Sequence, residues 1–251
     1  MRSGNPVLRE KAFRDLPATG EQMTINGTIA HTGILLLLAL ITGGWTWHHF
    51  ALVAQQSGPA AGMAAISLYL GGGLIAGLVL ALLTCFVSRW ASITAPLYAL
   101  AEGCVLGGIS AIFNLKYPGI VLQAVMLTAG VLAVMLFLYR SGVIKVTNKF
   151  RLGVVAATAA IALLYLVDMG LRAFTSVQIS FIHESGALGI GFSLLVVGLA
   201  ALNLVLDFNM IEHAVRQGAP KYMEWYGAFA LMVTLVWLYM EMLRLLSKAR
   251  R

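Results

Sequence analysis

Charged side chains are scarce in this sequence. They make up 11% of the 251 residues, against about 25% in an average soluble domain. Hydrophobic residues make up 60%. A water-soluble fold of this size could not cover its surface with so few charges, so the composition excludes a soluble globular protein.

Cysteine and the common catalytic motifs are rare or missing as well. Cys85 and Cys104 fall in apolar stretches and are interpreted as small buried side chains. There is no CxxC motif or Cys/His cluster that would predict a disulfide framework or a metal centre. The HExxH and GxSxG motifs are absent, so we expect no enzyme and no cofactor. No lysine precedes Lys248 in the last apolar stretch, which disfavours a retinal pigment.

Seven apolar stretches are each long enough, at roughly 20 residues, for a helix to cross the hydrocarbon core of a bilayer. They are continuous rather than alternating, which favours helices over barrel strands. The sequence predicts an all-α membrane protein with a polar cytoplasmic tail over 1–22 and a seven-helix transmembrane domain over 23–251. The predicted spans are Thr24–Trp47, Ala64–Val87, Thr94–Phe113, Gly119–Tyr139, Leu152–Leu171, Ser185–Asn209 and Glu224–Leu246.

Basic residues indicate the orientation, because they favour the cytoplasmic side of a membrane. With seven crossings, the N-terminal side collects the tail, Arg89, the 140–151 loop, Arg216 and Lys221. This set is larger than the opposite one, so we expect a multi-pass protein of the cell (inner) membrane with a cytoplasmic N-terminus. Acidic residues precede the first span, which is therefore predicted to be retained rather than cleaved as a signal peptide. The basic C-terminus opposes this orientation and leaves open a last helix that does not cross fully.

The net charge of +7 predicts contact with lipid headgroups. The basic residues form no stripe interleaved with stacking aromatics, so we expect no nucleic-acid partner.

Ionisable side chains at bilayer depth cost about 2.5–3.5 kcal/mol each, and they usually mark a pathway or a buried pair. The predicted topology divides them between the two halves of the membrane. The N-terminal half receives His31, Arg89, Glu102, Asp207 and Glu224, and the opposite half receives Asp168, Arg172, Glu184 and Glu241.

Spans 6 and 7 carry the polar positions of a predicted ion pathway. Asn203 lies one turn before Asp207, while Glu224 and Thr234 share one face of the last span at helical spacing. Two neighbouring carboxylates cannot both ionise cheaply, so one member of such a pair tends to hold a proton. The alternative is that Asp207 and Glu224 are both ordinary residues near helix ends.

Two further candidates lie on spans 2 and 3. Glu102 is predicted to face the protein interior near Asp207. Arg89 is predicted to form a latch with the acidic cluster, because arginine favours carboxylate pairing. The alternative for Arg89 is a side chain that extends to the lipid headgroups.

Short motifs along nearly the whole chain resemble the prokaryotic branch of the transmembrane Bax inhibitor motif family. Each motif is weak alone, but together and in order they are fairly specific. They are Asn5-Pro6-Val7-Leu8 with Phe13, Thr24-Ile25-Asn26-Gly27-Thr28, Ala95-Pro96-Leu97-Tyr98 with Glu102-Gly103, Tyr117-Pro118-Gly119-Ile120-Val121, Ile144-Lys145-Val146-Thr147 with Lys149-Phe150-Arg151, Leu206-Asp207-Phe208, and Glu224-Trp225-Tyr226 with Leu235-Val236-Trp237-Leu238-Tyr239.

The resemblance implies a fold and an activity. It implies seven helices with the last one central among two groups of three. It also implies a pH-sensitive calcium leak whose sensor is a pair of aspartates on helices 6 and 7. The first aspartate matches Asp207. Counting back without gaps from Leu243-Arg244-Leu245-Leu246 puts the second at Thr234, so either Glu224 on the same stripe takes over this role or the pair is absent.

Three functions are consistent with the sequence. The first is a passive cation conduit, above all for calcium, gated by carboxylate protonation, because acidic groups that line a pore select cations. In this interpretation Asp207, which matches the sensor aspartate that the resemblance implies, shares a proton with Glu224, and the pair offers oxygens to calcium transiently. The second is a regulatory membrane protein that binds a membrane protease or a stress or death factor without transport. The third, a secondary transporter, is disfavoured because the sequence has no inverted repeat and no paired broken helices.

The orientation gives the first testable prediction. Topology reporters fused at residues 20, 55, 145 and 218 should give a cytoplasmic signal at 20, 145 and 218 and an external signal at 55. A cytoplasmic signal at residue 55 would overturn the proposed orientation.

Overall fold

The computed structural model describes residues 21–250, except 176–178, 180, 181 and 183. Within these residues it contains seven long helices, each apolar enough to cross a membrane. They are α1 (Ile25–Ser57), α2 (Pro59–Phe86), α3 (Ala91–Lys116), α4 (Ile120–Arg140), α5 (Asn148–Phe174), α6 (Ala187–Arg216) and α7 (Met223–Ala249). The predicted multi-pass, all-helical membrane protein is confirmed. Nearly all of the predicted tail lies outside the described residues.

The helices begin and end at the breaker residues of the sequence. Gly58, Gly119, Gly142 and Gly218 follow helix ends with positive φ angles of 88, 79, 71 and 69°, a region that glycine enters without steric cost. Pro59 begins α2, where its missing N–H has no helical partner to lose. Thr24 and Thr147 cap α1 and α5, because their side chains accept hydrogen bonds from Gly27 N and Phe150 N.

The first helix is longer than its apolar stretch. It continues from the predicted end at Trp47 to Ser57, so that predicted end is wrong and His48 and His49 lie within the helix. The His49 ring stacks on Trp45 with a centroid distance of 5.9 Å and meets the edge of Tyr69 at the same distance. A helix of 33 residues is about 50 Å long and exceeds the hydrocarbon core of about 30 Å. Helical hydrogen bonding therefore continues through polar residues that an apolar count does not detect.

The described residues form two compact units. The N-terminal unit contains 21–121 and Ile211–Met232, and the C-terminal unit contains Leu122–Met210 and 233–250. The first ten residues of α7, Met223–Met232, thus belong to the N-terminal unit and the rest of α7 to the C-terminal unit.

In the N-terminal unit, α1, α2 and α3 pack against one another. The backbones of α1 and α3 touch at two glycines. A Cβ atom on Gly107 would lie 2.7 Å from the Cα of Gly43, and one on Gly103 would lie 2.7 Å from the Cα of Ala39. Small residues at these positions of α3 allow this close approach.

In the C-terminal unit, two apolar clusters join the helices. Met135 of α4 packs with Ala201 and Val205 of α6. Val154 of α5 packs with Leu199 and Leu206 of α6, and Trp237 of α7 covers this second cluster.

The last helix is the most buried of the seven. Buried residues make up 61% of its most apolar stretch, against 11% in α5. The central position of α7 between two groups of three helices stays a prediction.

The α1–α3 contact predicts a specific effect of one methyl group. Gly107→Ala should lower the melting temperature in detergent, because overpacking of a tight contact costs about 1–3 kcal/mol. Gly130→Ala is the matched control, since a Cβ atom there meets nothing within 4 Å, and it should leave the melting temperature unchanged or slightly higher. Equal effects of both substitutions would contradict the close packing.

Candidate functional site

A buried carboxylate lies between α6 and α7 in the C-terminal unit. Asp207 is 0% exposed, and the Thr234 hydroxyl donates a hydrogen bond of 2.6 Å to its Oδ2. Thr234 is itself buried, at 4% exposure. Asp207 stands at the position of the first aspartate that the resemblance implies, and Thr234 stands at the position of the second. The bond therefore joins these two positions.

Asn203 connects α6 to another helix one turn before Asp207. Its Nδ2 donates to Thr158 Oγ1 of α5 at 2.8 Å and to Leu199 O of its own helix at 2.9 Å. The amide therefore holds α5 beside α6, and its part in the predicted ion pathway stays a prediction.

The second candidate acid, Glu224, lies in the first turn of α7 in the N-terminal unit and is buried. Its Oε1 accepts hydrogen bonds from the Thr24 backbone N–H at 2.9 Å and from the Thr24 hydroxyl at 2.8 Å. Its Oε2 lies 3.5 Å from Nδ1 of His31, whose ring packs on Trp225 with a centroid distance of 4.0 Å. A Cβ atom on Gly27 would collide with the Glu224 carboxyl group, so this glycine makes room for the acid at the start of α1.

The contacts distinguish the two candidates for the α7 partner of Asp207. Glu224 and Thr234 lie ten residues apart on one helix, which is about 15 Å along its axis. The sequence favoured Glu224 as the partner, whereas the observed hydrogen bond favours Thr234.

Glu102 lies half-buried on α3 and faces α2. It shares a side-chain hydrogen bond with Tyr98, one turn earlier. A Cβ atom on Gly77 of α2 would lie 3.3 Å from its Oε2. The Glu102 carboxyl group is therefore paired within the protein. That it lies near Asp207 stays a prediction.

Arg89 lies in the short 3-10 turn Ser88–Trp90 between α2 and α3, and its side chain is exposed. Within the described part of the chain it makes no ion pair. The latch with the acidic cluster stays a prediction.

The segment before α1 pairs with the loop between α6 and α7. Met23 N donates to Ala219 O at 2.7 Å, and Lys221 N donates to Glu21 O at 2.9 Å. The side chains of Glu21 and Lys221 form an exposed ion pair. The Lys221 ammonium group, by hydrogen bonding and by charge, holds the pKa of Glu21 below its usual value.

A second charged cluster lies in the C-terminal unit, near the C-terminal end of α7. The sequence did not single it out as a site. Glu241 is 1% exposed, and its Oε1 accepts hydrogen bonds from Arg244 Nη1 at 2.7 Å and Tyr165 OH at 3.1 Å. Lys248 is also buried and donates to Gly189 O at 2.9 Å and Ser193 Oγ at 2.8 Å. One signal in the sequence could have indicated this cluster. Glu241 and Arg244 lie three residues apart, a separation that makes an acid and a base neighbours on a helix surface.

These contacts bear on the basic C-terminus. Arg244, Lys248 and Arg250 all bond within the C-terminal unit, the last one to Gln123 Oε1 at 2.7 Å. The side of the membrane on which the C-terminus lies stays a prediction.

No resident metal site is evident in the described part of the chain, where no three His, Cys, Asp or Glu side chains come together. Transient calcium binding by Asp207 and Glu224 stays a prediction.

Seven long apolar helices with buried carboxylates among their residues define a multi-pass helical membrane protein. A family model described as "Bax inhibitor 1 like" matches residues 5–251, nearly the whole chain. The chain therefore belongs to this family, which confirms the resemblance. No curated protein and no solved structure matches it.

The Asp207–Thr234 bond predicts a difference between two small substitutions. Thr234→Val keeps the shape but removes the donor, so stability in detergent should fall by about 1–3 kcal/mol, the usual cost of removing one partner of a buried polar group. Thr234→Ser keeps the hydroxyl and should retain most of the stability. Equal melting temperatures for the Val and Ser variants would show that the bond contributes nothing.

Proposed function

We propose that this protein is a pH-sensitive passive cation leak, with calcium as the permeant ion and Asp207 as the titrating gate residue. The observation that carries the proposal is the complete burial of Asp207 on α6 against the Thr234 hydroxyl of α7. Family membership supports the membrane location and the fold, and the gating role is our inference. We propose no catalytic activity and no cofactor.

Protonation of Asp207 would change what its side chain offers to its surroundings. A protonated carboxyl group is neutral and has both a donor and an acceptor, so it is compatible with a closed apolar contact between helices. An ionised carboxylate only accepts hydrogen bonds, and burial penalises its charge unless donors, water or a cation reach it. Acidic conditions should therefore favour the closed state, and deprotonation should favour entry of a hard cation that binds oxygen.

The threonine on α7 distinguishes this gate from a pair of carboxylates. Two acids would repel each other when both ionise and would share a proton at low pH. Here Thr234 supplies a neutral donor 2.6 Å away, so opening depends on the hydration of one carboxylate rather than on repulsion between two.

The remaining candidate residues have secondary parts in the proposal. Glu224 and Glu102 place further carboxylates on α7 and α3, and acidic groups of this kind attract cations to a pathway. Arg89 is exposed next to α3 and is the proposed latch of the closed state.

Calcium flux into proteoliposomes that contain a calcium dye tests the proposal. The wild type should pass more calcium as the pH rises, and Asp207→Asn should abolish this pH dependence, because the amide does not titrate. Thr234→Asp restores a carboxylate pair and should move the midpoint to higher pH, since like charge favours the protonated form.

Glu212→Gln is the matched control for these variants. Glu212 lies on the same helix and pairs with exposed Arg216, so its substitution should leave the flux profile unchanged. If the wild type passes no calcium at any pH, or Asp207→Asn keeps the wild-type profile, the leak model fails. The regulatory alternative, binding to a membrane protease or to a stress or death factor, then takes its place.

A further inference from the structure

Arg151 is a buried basic residue of the C-terminal unit. It is the fourth residue of α5 and is only 9% exposed. Within the described residues, its guanidinium group makes no hydrogen bond and no ion pair. A buried charge is unfavourable unless a partner of opposite charge compensates it. The burial of this arginine therefore indicates an anionic ligand.

The acids of the same unit do not serve as that partner. Asp168, Asp207 and Glu241 each accept hydrogen bonds or form ion pairs with other residues. Glu184 lies in the segment between the end of α5 and the start of α6. A helix of 27 residues, about 40 Å long, separates that segment from the start of α5. The negative charge that Arg151 lacks must therefore come from a ligand.

The start of α5 adds further positive potential. Its first turn contains Lys149 and no acid, and exposed Lys145 precedes it. The Thr147 hydroxyl accepts a hydrogen bond from Phe150 N at 3.2 Å, whereas the N–H groups of Asn148 and Lys149 have no partner within the helix. Such N–H groups and the helix dipole favour an anion at this end.

The side chain of Arg151 belongs to the face of α5 that packs inside the unit. Val154, three residues later, is buried and packs with Leu199 and Leu206 of α6. Because helical side chains lean toward the N-terminus, Arg151 covers the turn that begins α5. In the described part of the chain, the enclosed side-chain atoms without a partner include none of Arg151. The guanidinium group therefore keeps an opening to its surroundings.

The outer surface around the start of α5 is apolar. Val143 and Leu152 are each 71% exposed, although they lie next in sequence to the cationic residues of this region. Exposed apolar side chains belong in hydrocarbon, whereas lysine and arginine collect at the headgroups. The start of α5 therefore lies where the two layers meet, within reach of lipid phosphate groups.

We infer that Arg151 and the N–H groups at the start of α5 bind a phosphate group. A guanidinium group matches two phosphate oxygens in a bidentate arrangement, and Lys145 and Lys149 add charge at the rim. The same anionic oxygens occur in an anionic lipid headgroup and in free inorganic phosphate. Binding forms only hydrogen bonds and ion pairs, and it does not require that the protein conducts calcium.

Thermal unfolding of the delipidated, full-length protein in a neutral detergent tests this site. One series adds short-chain phosphatidylglycerol, and a second adds inorganic phosphate at constant ionic strength. Short-chain phosphatidylcholine is the ligand control, because its choline group offsets the charge of the phosphate. A ligand that binds the folded state raises the melting temperature with its concentration. At least one of the two anions should do so, and phosphatidylcholine should not.

Arg151→Met removes the charge and keeps an apolar stem of similar length. The apparent affinity for the stabilising anion should fall about tenfold or more, because charge-assisted hydrogen bonds are lost. Lys116→Met is the matched control, since it removes an exposed cation at the end of α3, and it should leave the affinity unchanged. Arg151→Lys keeps the charge without the bidentate geometry, so its affinity should lie between those of the wild type and Arg151→Met.

The outcomes distinguish the source of the phosphate. Stabilisation by phosphatidylglycerol alone assigns the site to a lipid headgroup, and stabilisation by inorganic phosphate assigns it to a soluble phosphate. The site is overturned if neither anion stabilises the wild type, or if Arg151→Met binds the anion as tightly as the wild type does. If Arg151→Met does not fold, wild-type affinity in Arg151→Lys overturns the site instead.

Discussion

The high free-energy cost of a carboxylate in an apolar interior is the constraint on which this structure depends. Asp207, Glu224 and Glu241 are all nearly inaccessible to solvent, and each receives donors from another helix. Thr234 of α7 serves Asp207, Thr24 at the start of α1 serves Glu224, and Tyr165 of α5 serves Glu241. Since an unsatisfied buried charge costs several kcal/mol, these hydrogen bonds stabilise the contacts between the helices that they join.

The last helix is a partner in all three contacts. Its first ten residues pack in the N-terminal unit, where Glu224 meets α1 and Phe229 meets the Tyr98 ring of α3 at 4.9 Å. Its remaining residues pack in the C-terminal unit, where Thr234 and Glu241 meet α6 and α5. One helix therefore supplies a residue to each of the three contacts.

The sequence predicted the seven helices because crossing a bilayer requires a fixed apolar length. Gly58-Pro59 and Gly119 lie between helices at positions where backbone chemistry favours a break. The sequence missed the last ten residues of α1, since helical hydrogen bonding does not stop where apolar residues do. The close approach at Gly103 and Gly107 was predictable because only small residues allow it.

The sequence by itself determined that Asp207, Glu224 and Glu241 lie inside helices, because these acids interrupt or border apolar runs. It did not determine their partners. Periodicity places Glu224 and Thr234 on one stripe of α7, but it does not tell which of them meets Asp207, nor that Tyr165 reaches Glu241. Those pairings depend on the rotation and relative height of neighbouring helices, which side-chain packing between distant segments sets. Only the tertiary structure decides such contacts, because no local pattern encodes the position of one helix along another.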